Sequence, residues 1–196
     1  MRWPRFRCRW ALDVKRAVVH EVELQTWRWD VDSDPSVSLL RGLKRLEARR
    51  RGQAATSPVV VRLLINRVLT QSPNVMARIF GQIAEQKIDP AFVDVHLVEY
   101  LASGLGADHA ETLVVDGTSP IVMGANVTSD YGKNLDMWDA GFQLTGEVVQ
   151  SIHADFAKMW SAGRVWLSTA LERGQRGPIC DDALAAPPLR DACAGP

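Results

Sequence analysis

Hydrophobic and polar residues alternate with two different periods along the middle of the chain. Residues 22–27 change character at every second position, which predicts a strand with one polar face. Residues 59–65 form a nearly all-apolar run of strand length, typical of a buried central strand. Further strands are predicted over 93–98, 112–115, 121–123 and 140–144.

The second period is helical. Leucines recur at helical spacing over 39–46, and Arg49–Gly52 ends that helix. Ser72 and Pro73 open a second helix that runs through Ile83. The last helix carries its apolar residues on one face, at Val149, Ile152, Phe156 and Met159. Helices that alternate with strands predict an α/β fold, with a mixed and largely buried sheet flanked by helices.

The two ends differ from this middle part. Residues 1–10 form a basic arm, read either as a solvated edge of the fold or as a contact for anionic lipid or phosphate. Residues 166–196 are rich in proline and glycine and read as an irregular tail or a cut-off segment. One domain is therefore predicted over 11–165, and 196 residues suit one well-buried core.

Composition narrows the function classes. Lys plus Arg and Asp plus Glu each number 23, so the formal net charge is zero and bulk charge gives no argument for nucleic-acid binding. Neither an apolar run of about 18 residues nor a signal-peptide core is present. The expected location is cytoplasmic or membrane-peripheral, with a secreted effector left open. Three distant cysteines and the absence of paired-histidine patterns predict no metal site, and no cofactor is predicted.

The segment from His109 to Asn126 carries the candidate chemistry. His109 and Glu111 lie on the same face where a strand begins. Asp116 and the glycine after it are a turn signal, which predicts a hairpin that brings His109 and Asn126 to the same end of the sheet. Small residues at Gly124 and its neighbour leave room there for a ligand.

This segment resembles the phospholipase D superfamily. The pattern H-x-K-x4-D-x6-G-S-x-N of that family falls on His109, Asp116 and Asn126 with every spacing kept. The strand over 21–27, the Trp-Asp segment over 138–146 and the helix end over 156–160 are also similar to family elements. The resemblance covers roughly residues 11–161 and implies a phospholipase D-like half with one motif.

The resemblance also implies roles for the residues that match. His109 corresponds to the nucleophile that attacks phosphorus and forms a phosphohistidine, while a second histidine protonates the leaving oxygen. Asn126 corresponds to a ligand of the phosphate oxygens. Asp139 corresponds to the carboxylate that holds the imidazole through its Nδ1–H. Asp116 is counted with these catalytic residues, although a purely structural turn role stays open.

The motif is degenerate at two substrate-binding positions. Glu111 stands where the family has lysine, and Gly124 stands where it has serine. An anion in place of a cation about 4 Å from a phosphate shifts the local energy by several kcal/mol, even at a dielectric constant near 20. The half-site is therefore expected to be weak unless the Glu111 side chain points away or is protonated.

Three functional readings follow. The first is a phosphodiesterase with a histidine nucleophile, completed by a second motif from a homodimer or from a missing C-terminal half. Its expected partner is a phosphodiester substrate, a phospholipid in preference to nucleic acid, at a peripheral membrane surface. The second is a degenerate phospholipase D-like module that binds a phosphorylated ligand or a partner chain. The third is an unrelated α/β domain.

Overall fold

A computed structural model describes residues 20–53, 57–67, 74–101, 109–118, 120–131 and 139–168. The predicted basic arm over 1–10 lies outside the described residues, as does the tail beyond residue 168. No helix in these ranges is long and apolar enough to span a membrane.

Seven strands form one mixed sheet within the described ranges, in the order β6-β5-β4-β1-β2-β3-β7. β1, β2 and β3 are parallel to one another, and the remaining pairs are antiparallel. The strands are β1 Glu21–Thr26, β2 Val59–Arg67, β3 Val93–Leu101, β4 Glu111–Val115, β5 Ile121–Met123, β6 Gly141–Gln143 and β7 Arg164–Ser168. The predicted mixed α/β fold is confirmed.

Helices cover both faces of the sheet. α1 (Asp34–Gly52) and α2 (Val75–Glu85) share one apolar core with the sheet, and α3 (Val148–Ala162) packs on the opposite face. α1 begins where it does because the Ser33 hydroxyl accepts the Ser36 amide at 3.3 Å. The helices cover the two faces of the sheet and leave the ends of the strands accessible. We call each row of strand ends an edge of the sheet.

The polar face predicted for β1 is present, and it is buried. Its polar side chains Glu23 and Gln25 are each 1% exposed, because α3 covers that face. Glu23 is hydrogen-bonded to His153 at 2.8 Å, and the Gln25 amide donates to the Met159 sulfur at 3.4 Å. The polar residues of β1 therefore bind α3 instead of facing water.

The predicted domain end at residue 165 falls inside a strand that the sequence pattern missed. β7 follows α3 directly and pairs antiparallel with β3. Its sequence, Arg-Val-Trp-Leu-Ser, is rich in β-formers, but the glycine-rich segment after it favoured reading the whole region as tail. Residues 166–168, predicted as part of the tail, thus belong to a strand of the sheet.

Gly163 joins α3 to β7 at a point where the backbones pass very closely. A Cβ atom at this position would lie 2.2 Å from Val98 Cγ1 and 3.1 Å from the Glu99 carbonyl oxygen. We expect Gly163→Ala to lower the free energy of unfolding by about 1–3 kcal/mol, because β3 and α3 must separate. Urea unfolding of the purified chain measures this change.

Gly81→Ala is the matched control, since no atom lies within 4 Å of a Cβ at that helical position. It should raise the free energy of unfolding by about 0.5–1 kcal/mol through helix propensity. Equal effects of the two substitutions would contradict the close approach at Gly163.

His153 makes the stability of the α3 contact depend on pH. Its hydrogen bond to Glu23 raises its pKa above the ordinary value, against burial and the nearby Arg62 guanidinium, which lower it. A group with a raised folded-state pKa stabilises the fold below its unfolded pKa, and this stabilisation is lost as pH rises through the folded pKa. His153→Gln should therefore cost more unfolding free energy near about pH 6 than near about pH 9.

Denaturant unfolding at several pH values measures this difference. The control is His20→Gln, since His20 is exposed and donates its hydrogen bond through the backbone amide. A destabilisation by His153→Gln that stays constant with pH would refute the ionic contact.

Candidate active site

Three of the polar residues that the sequence analysis names, His109, Asn126 and Asp139, lie at one edge of the sheet. β4 runs antiparallel to β1, so the start of β4 lies beside the carboxyl end of β1. β5 and β6 continue the antiparallel order, so the end of β5 and the start of β6 reach the same edge. His109 precedes β4, Asn126 follows β5 and Asp139 precedes β6, which places all three there.

The side chain of Asn126 is anchored to the segment after β1. Its Oδ1 accepts the Arg28 backbone amide at 2.9 Å and the Thr26 hydroxyl at 3.3 Å. The neighbouring Val127 amide donates to the Arg28 carbonyl at 3.2 Å. Because the amide oxygen is bound on this side, the Asn126 amide nitrogen is the group left to donate to a ligand.

His109 lies on an indole ring. Its imidazole is stacked on Trp27, with 3.8 Å between ring centres and 30° between the planes. His109 is exposed, whereas Trp27 is partly buried. The indole restricts the tilt of the imidazole and leaves one side of the histidine open to solvent, as a nucleophile or a phosphate ligand requires.

The Asp139 carboxylate is packed against Gly124. A Cβ atom on Gly124 would lie 2.5 Å from Asp139 Oδ2, and Asp139 Oδ1 accepts the Ala140 amide at 2.7 Å. The contacts of the described residues do not join Asp139 directly to the His109 ring. The role that the resemblance implies for Asp139 therefore stays a prediction, and Gly124 has a steric reason to be glycine.

Glu111 does not lie on the exposed part of this edge. It is 3% exposed and pairs in register with Met123 of β5. Alternation along β4 places it on the same face as Leu113, which belongs to the core under α1 and α2. Glu111 is thus buried, and the expectation that it takes part in binding substrate stays a prediction.

Asp116 lies at the opposite edge of the sheet. Five residues of β4 separate it from the candidate site, a span of about 17 Å at the usual rise of a strand. Its Oδ1 accepts the backbone amides of His20 and Glu21 at 2.7 and 2.9 Å. Asp116 and Gly117 both have positive φ, 51° and 61°, as the central residues of a type I′ β-turn require, and the Thr118 amide closes this turn on the Val115 carbonyl at 3.2 Å. Its place among the catalytic residues is corrected to a turn residue that holds the start of β1.

Sequence reasoning missed the part that Trp27, Arg28 and Thr26 play at this edge. The pattern over 21–27 predicts a strand, but it does not show that the end of this strand binds Asn126. The available signal was a tryptophan and a cation directly after a predicted buried-sheet strand. Trp138, part of the resemblance, lies outside the described residues. Within the described ranges no group of three or more His, Cys, Asp and Glu side chains is arranged to hold a metal ion.

We expect Asp116→Ala to lower the free energy of unfolding by about 2–3 kcal/mol, because two amides lose their acceptor and alanine tolerates positive φ poorly. Asp116→Asn is the matched control, since asparagine keeps an acceptor oxygen and tolerates this conformation. Chemical denaturation compares the two. Equal losses would show that the side-chain oxygen contributes nothing.

Comparison with known structures bears on the fold. The chain is similar to Nuc from Salmonella typhimurium, described as a phospholipase D family member, with a TM-score of 0.51 and 12% identity over 80% of this chain and 88% of that chain. For NucT from Helicobacter pylori the TM-score is 0.49 and the identity 11%, over 80% of this chain and 88% of that chain. For polyphosphate kinase from Porphyromonas gingivalis the TM-score is 0.47 and the identity 11%, over 85% of this chain and 24% of that chain.

No family profile matches the sequence, and no curated protein matches it. At 12% identity the likeness to Nuc concerns the fold alone. The architecture of this chain is thus similar to that of Nuc.

Proposed function

We propose that this chain is a phospholipase D-like phosphodiesterase in which His109 is the nucleophile. The observation that carries the proposal is the placement of an exposed imidazole, stacked on Trp27, at the same sheet edge as the anchored Asn126. The likeness of the fold to a phospholipase D family member supports the same reading. His109 presents a nitrogen nucleophile, and Asn126 presents an amide donor for a phosphate oxygen.

The proposed reaction has two steps. A neutral ring nitrogen of His109 attacks phosphorus, the bond to the leaving oxygen breaks, and that oxygen takes a proton from a general acid. Water then attacks the phosphohistidine, the P–N bond breaks and the imidazole is regenerated. Stacking on Trp27 restricts the orientation of the ring in both steps.

The general acid is proposed to come from a second motif-bearing half. A nucleophile and an acid on opposite sides of phosphorus need two imidazoles, and the segment from His109 to Asn126 supplies one motif. A homodimer or a C-terminal half would supply the other. Sedimentation velocity distinguishes a stable dimer from a monomer for the purified chain.

The proposed substrate class is a phospholipid diester at a peripheral membrane surface, with a cytoplasmic or membrane-peripheral location. Equal numbers of cationic and anionic residues give no bulk attraction to nucleic acid. Hydrolysis of phosphatidylcholine vesicles in preference to DNA is the expected result.

The second candidate is a module that binds a phosphorylated ligand or a partner chain without catalysis. The observation that favours it is the buried Glu111 at the position of the family lysine. Its measurable consequence is that the wild-type chain binds phosphate but hydrolyses no diester.

We expect His109→Ala to lower the hydrolysis of bis-p-nitrophenyl phosphate by about a thousandfold or more, because no other group at this edge replaces the nucleophile. The control is His20→Ala, an exposed histidine at the opposite edge of the sheet, which should keep wild-type activity. Release of p-nitrophenol measures the rate. Wild-type activity in His109→Ala would exclude His109 as the nucleophile.

A further inference from the structure

We propose that Arg28 supplies the cation that binds the phosphate group beside His109. This inference rests on the proposed function, because it assigns the anion contact within the same site. It also accounts for the position of Glu111, which leaves the motif without its usual cation. Arg28 lies outside the motif in sequence, and its side chain adjoins the same indole as the motif histidine.

The backbone of Arg28 is part of the anchor that holds Asn126. Its amide donates to Asn126 Oδ1 at 2.9 Å, and its carbonyl accepts the Val127 amide at 3.2 Å. The single proton of the Thr26 hydroxyl, which lies 3.0 Å from this carbonyl and 3.3 Å from Asn126 Oδ1, is shared between the two acceptors. The starting point of the Arg28 side chain is therefore fixed relative to the asparagine proposed to donate to phosphate.

The side chain of Arg28 lies on the same indole as His109. Arg28 Cζ is 6.0 Å from the centre of the Trp27 ring, and the His109 ring centre is 3.8 Å from Trp27. The guanidinium and the imidazole thus adjoin one indole, and these two distances put the guanidinium carbon no more than about 10 Å from the centre of the imidazole. A phosphate bound at His109 would lie within the attraction of this cation.

The guanidinium has hydrogen-bonding capacity to spare. Its side chain contacts Asp130 Oδ2 at 3.4 Å, longer than a usual charge-assisted hydrogen bond, and the two side chains are 41% and 32% exposed. An exposed pair of this kind contributes little to stability. Arginine carries five N–H donors, and its planar fork matches two oxygens of one phosphate. A phosphate can therefore bind without breaking a strong ion pair.

Asp130 has the opposite effect on the same site. Its carboxylate holds the guanidinium near the edge, but its negative charge repels an incoming phosphate. Removing the charge from Arg28 and removing the charge from Asp130 should consequently shift phosphate affinity in opposite directions. A merely structural salt bridge would instead make both substitutions act alike.

The first experiment titrates inorganic phosphate into the full chain and follows binding by isothermal titration calorimetry. Arg28→Ala should weaken binding by about tenfold or more, and Arg28→Lys should weaken it less. Asp130→Asn should tighten binding. Arg45→Ala is the matched control, because Arg45 is exposed on α1, outside the sheet edge, and should leave affinity unchanged.

The second experiment measures kcat/KM for bis-p-nitrophenyl phosphate. Arg28→Ala should lose activity that added guanidinium ions restore in part, whereas an equal concentration of sodium ions does not. Thermal unfolding of each variant verifies that the fold is intact. Hydrolysis and phosphate binding that are both unaffected by Arg28→Ala would overturn the Arg28 assignment and leave the proposed phosphodiesterase standing.

The remaining outcomes are also decisive. Phosphate binding that depends on Arg28 in a chain without diesterase activity would support the anion site and refute the enzymatic proposal. Absence of phosphate binding by the wild-type chain, or weaker binding in both Arg28→Ala and Asp130→Asn, would overturn the Arg28 site.

Discussion

The hydrogen bonds between the Asn126 side chain and the segment after β1 determine the geometry of the candidate site. Asn126 Oδ1 accepts hydrogen bonds from the Arg28 amide and the Thr26 hydroxyl. The loop that follows β5 is therefore fixed to the carboxyl end of β1, the middle strand of the sheet. Backbone hydrogen bonds support the same junction, because the Val127 amide donates to the Arg28 carbonyl at 3.2 Å and the Asp30 amide donates to the Val127 carbonyl at 2.8 Å. Trp27 and Arg28 belong to the same segment, so the indole under His109 is positioned by the same bonds.

The sheet itself depends on a second group of polar contacts, beneath α3. Arg62 forms ion pairs with Glu21 and Glu23, and Glu23 also binds His153. Charged side chains this deeply buried are rare unless they are paired, and these pairs connect β1, β2 and α3. Breaking such a pair by removing one partner is costly, because the other charge stays buried. These pairs hold the first half of β1, and the Gln25 amide, which donates to the Met159 sulfur, continues the contact with α3 toward the carboxyl end that carries the site.

How far the sequence predicts this molecule follows from what each signal reports. The apolar run over 59–65 and the leucines over 39–46 predict β2 and α1 well, since burial on both faces or on one face has a direct periodic trace. Alternation in β1 predicted the strand and its polar face but not the burial of that face. The helix that covers it, α3, is more than 120 residues away in the sequence and contacts Glu23 through His153. β7 left only five residues of signal next to a glycine-rich segment.

The site divides in the same way. The hairpin signal at Asp116 and Gly117 correctly brought His109 and Asn126 to one edge, since register follows from turn geometry. The spacing of the motif did not show that Asp116 lies at the far edge or that Glu111 is buried, because a linear pattern does not report distance across a sheet. The sequence does not single out Arg28 for the same reason, because its partners Asn126 and Asp130 are about 100 residues away along the chain.

The contact between Gly124 and Asp139 couples two positions that a pattern treats as independent. Serine at 124 would place its Cβ where the Asp139 carboxylate now lies, so the exposed Asp139 side chain would have to take another rotamer. An engineer who restores the motif one letter at a time would therefore also change the direction of a carboxylate that no substitution touches. The residue at 124 thus selects the orientation of Asp139, which makes this part of the motif a property of two neighbouring strand ends rather than of a single loop.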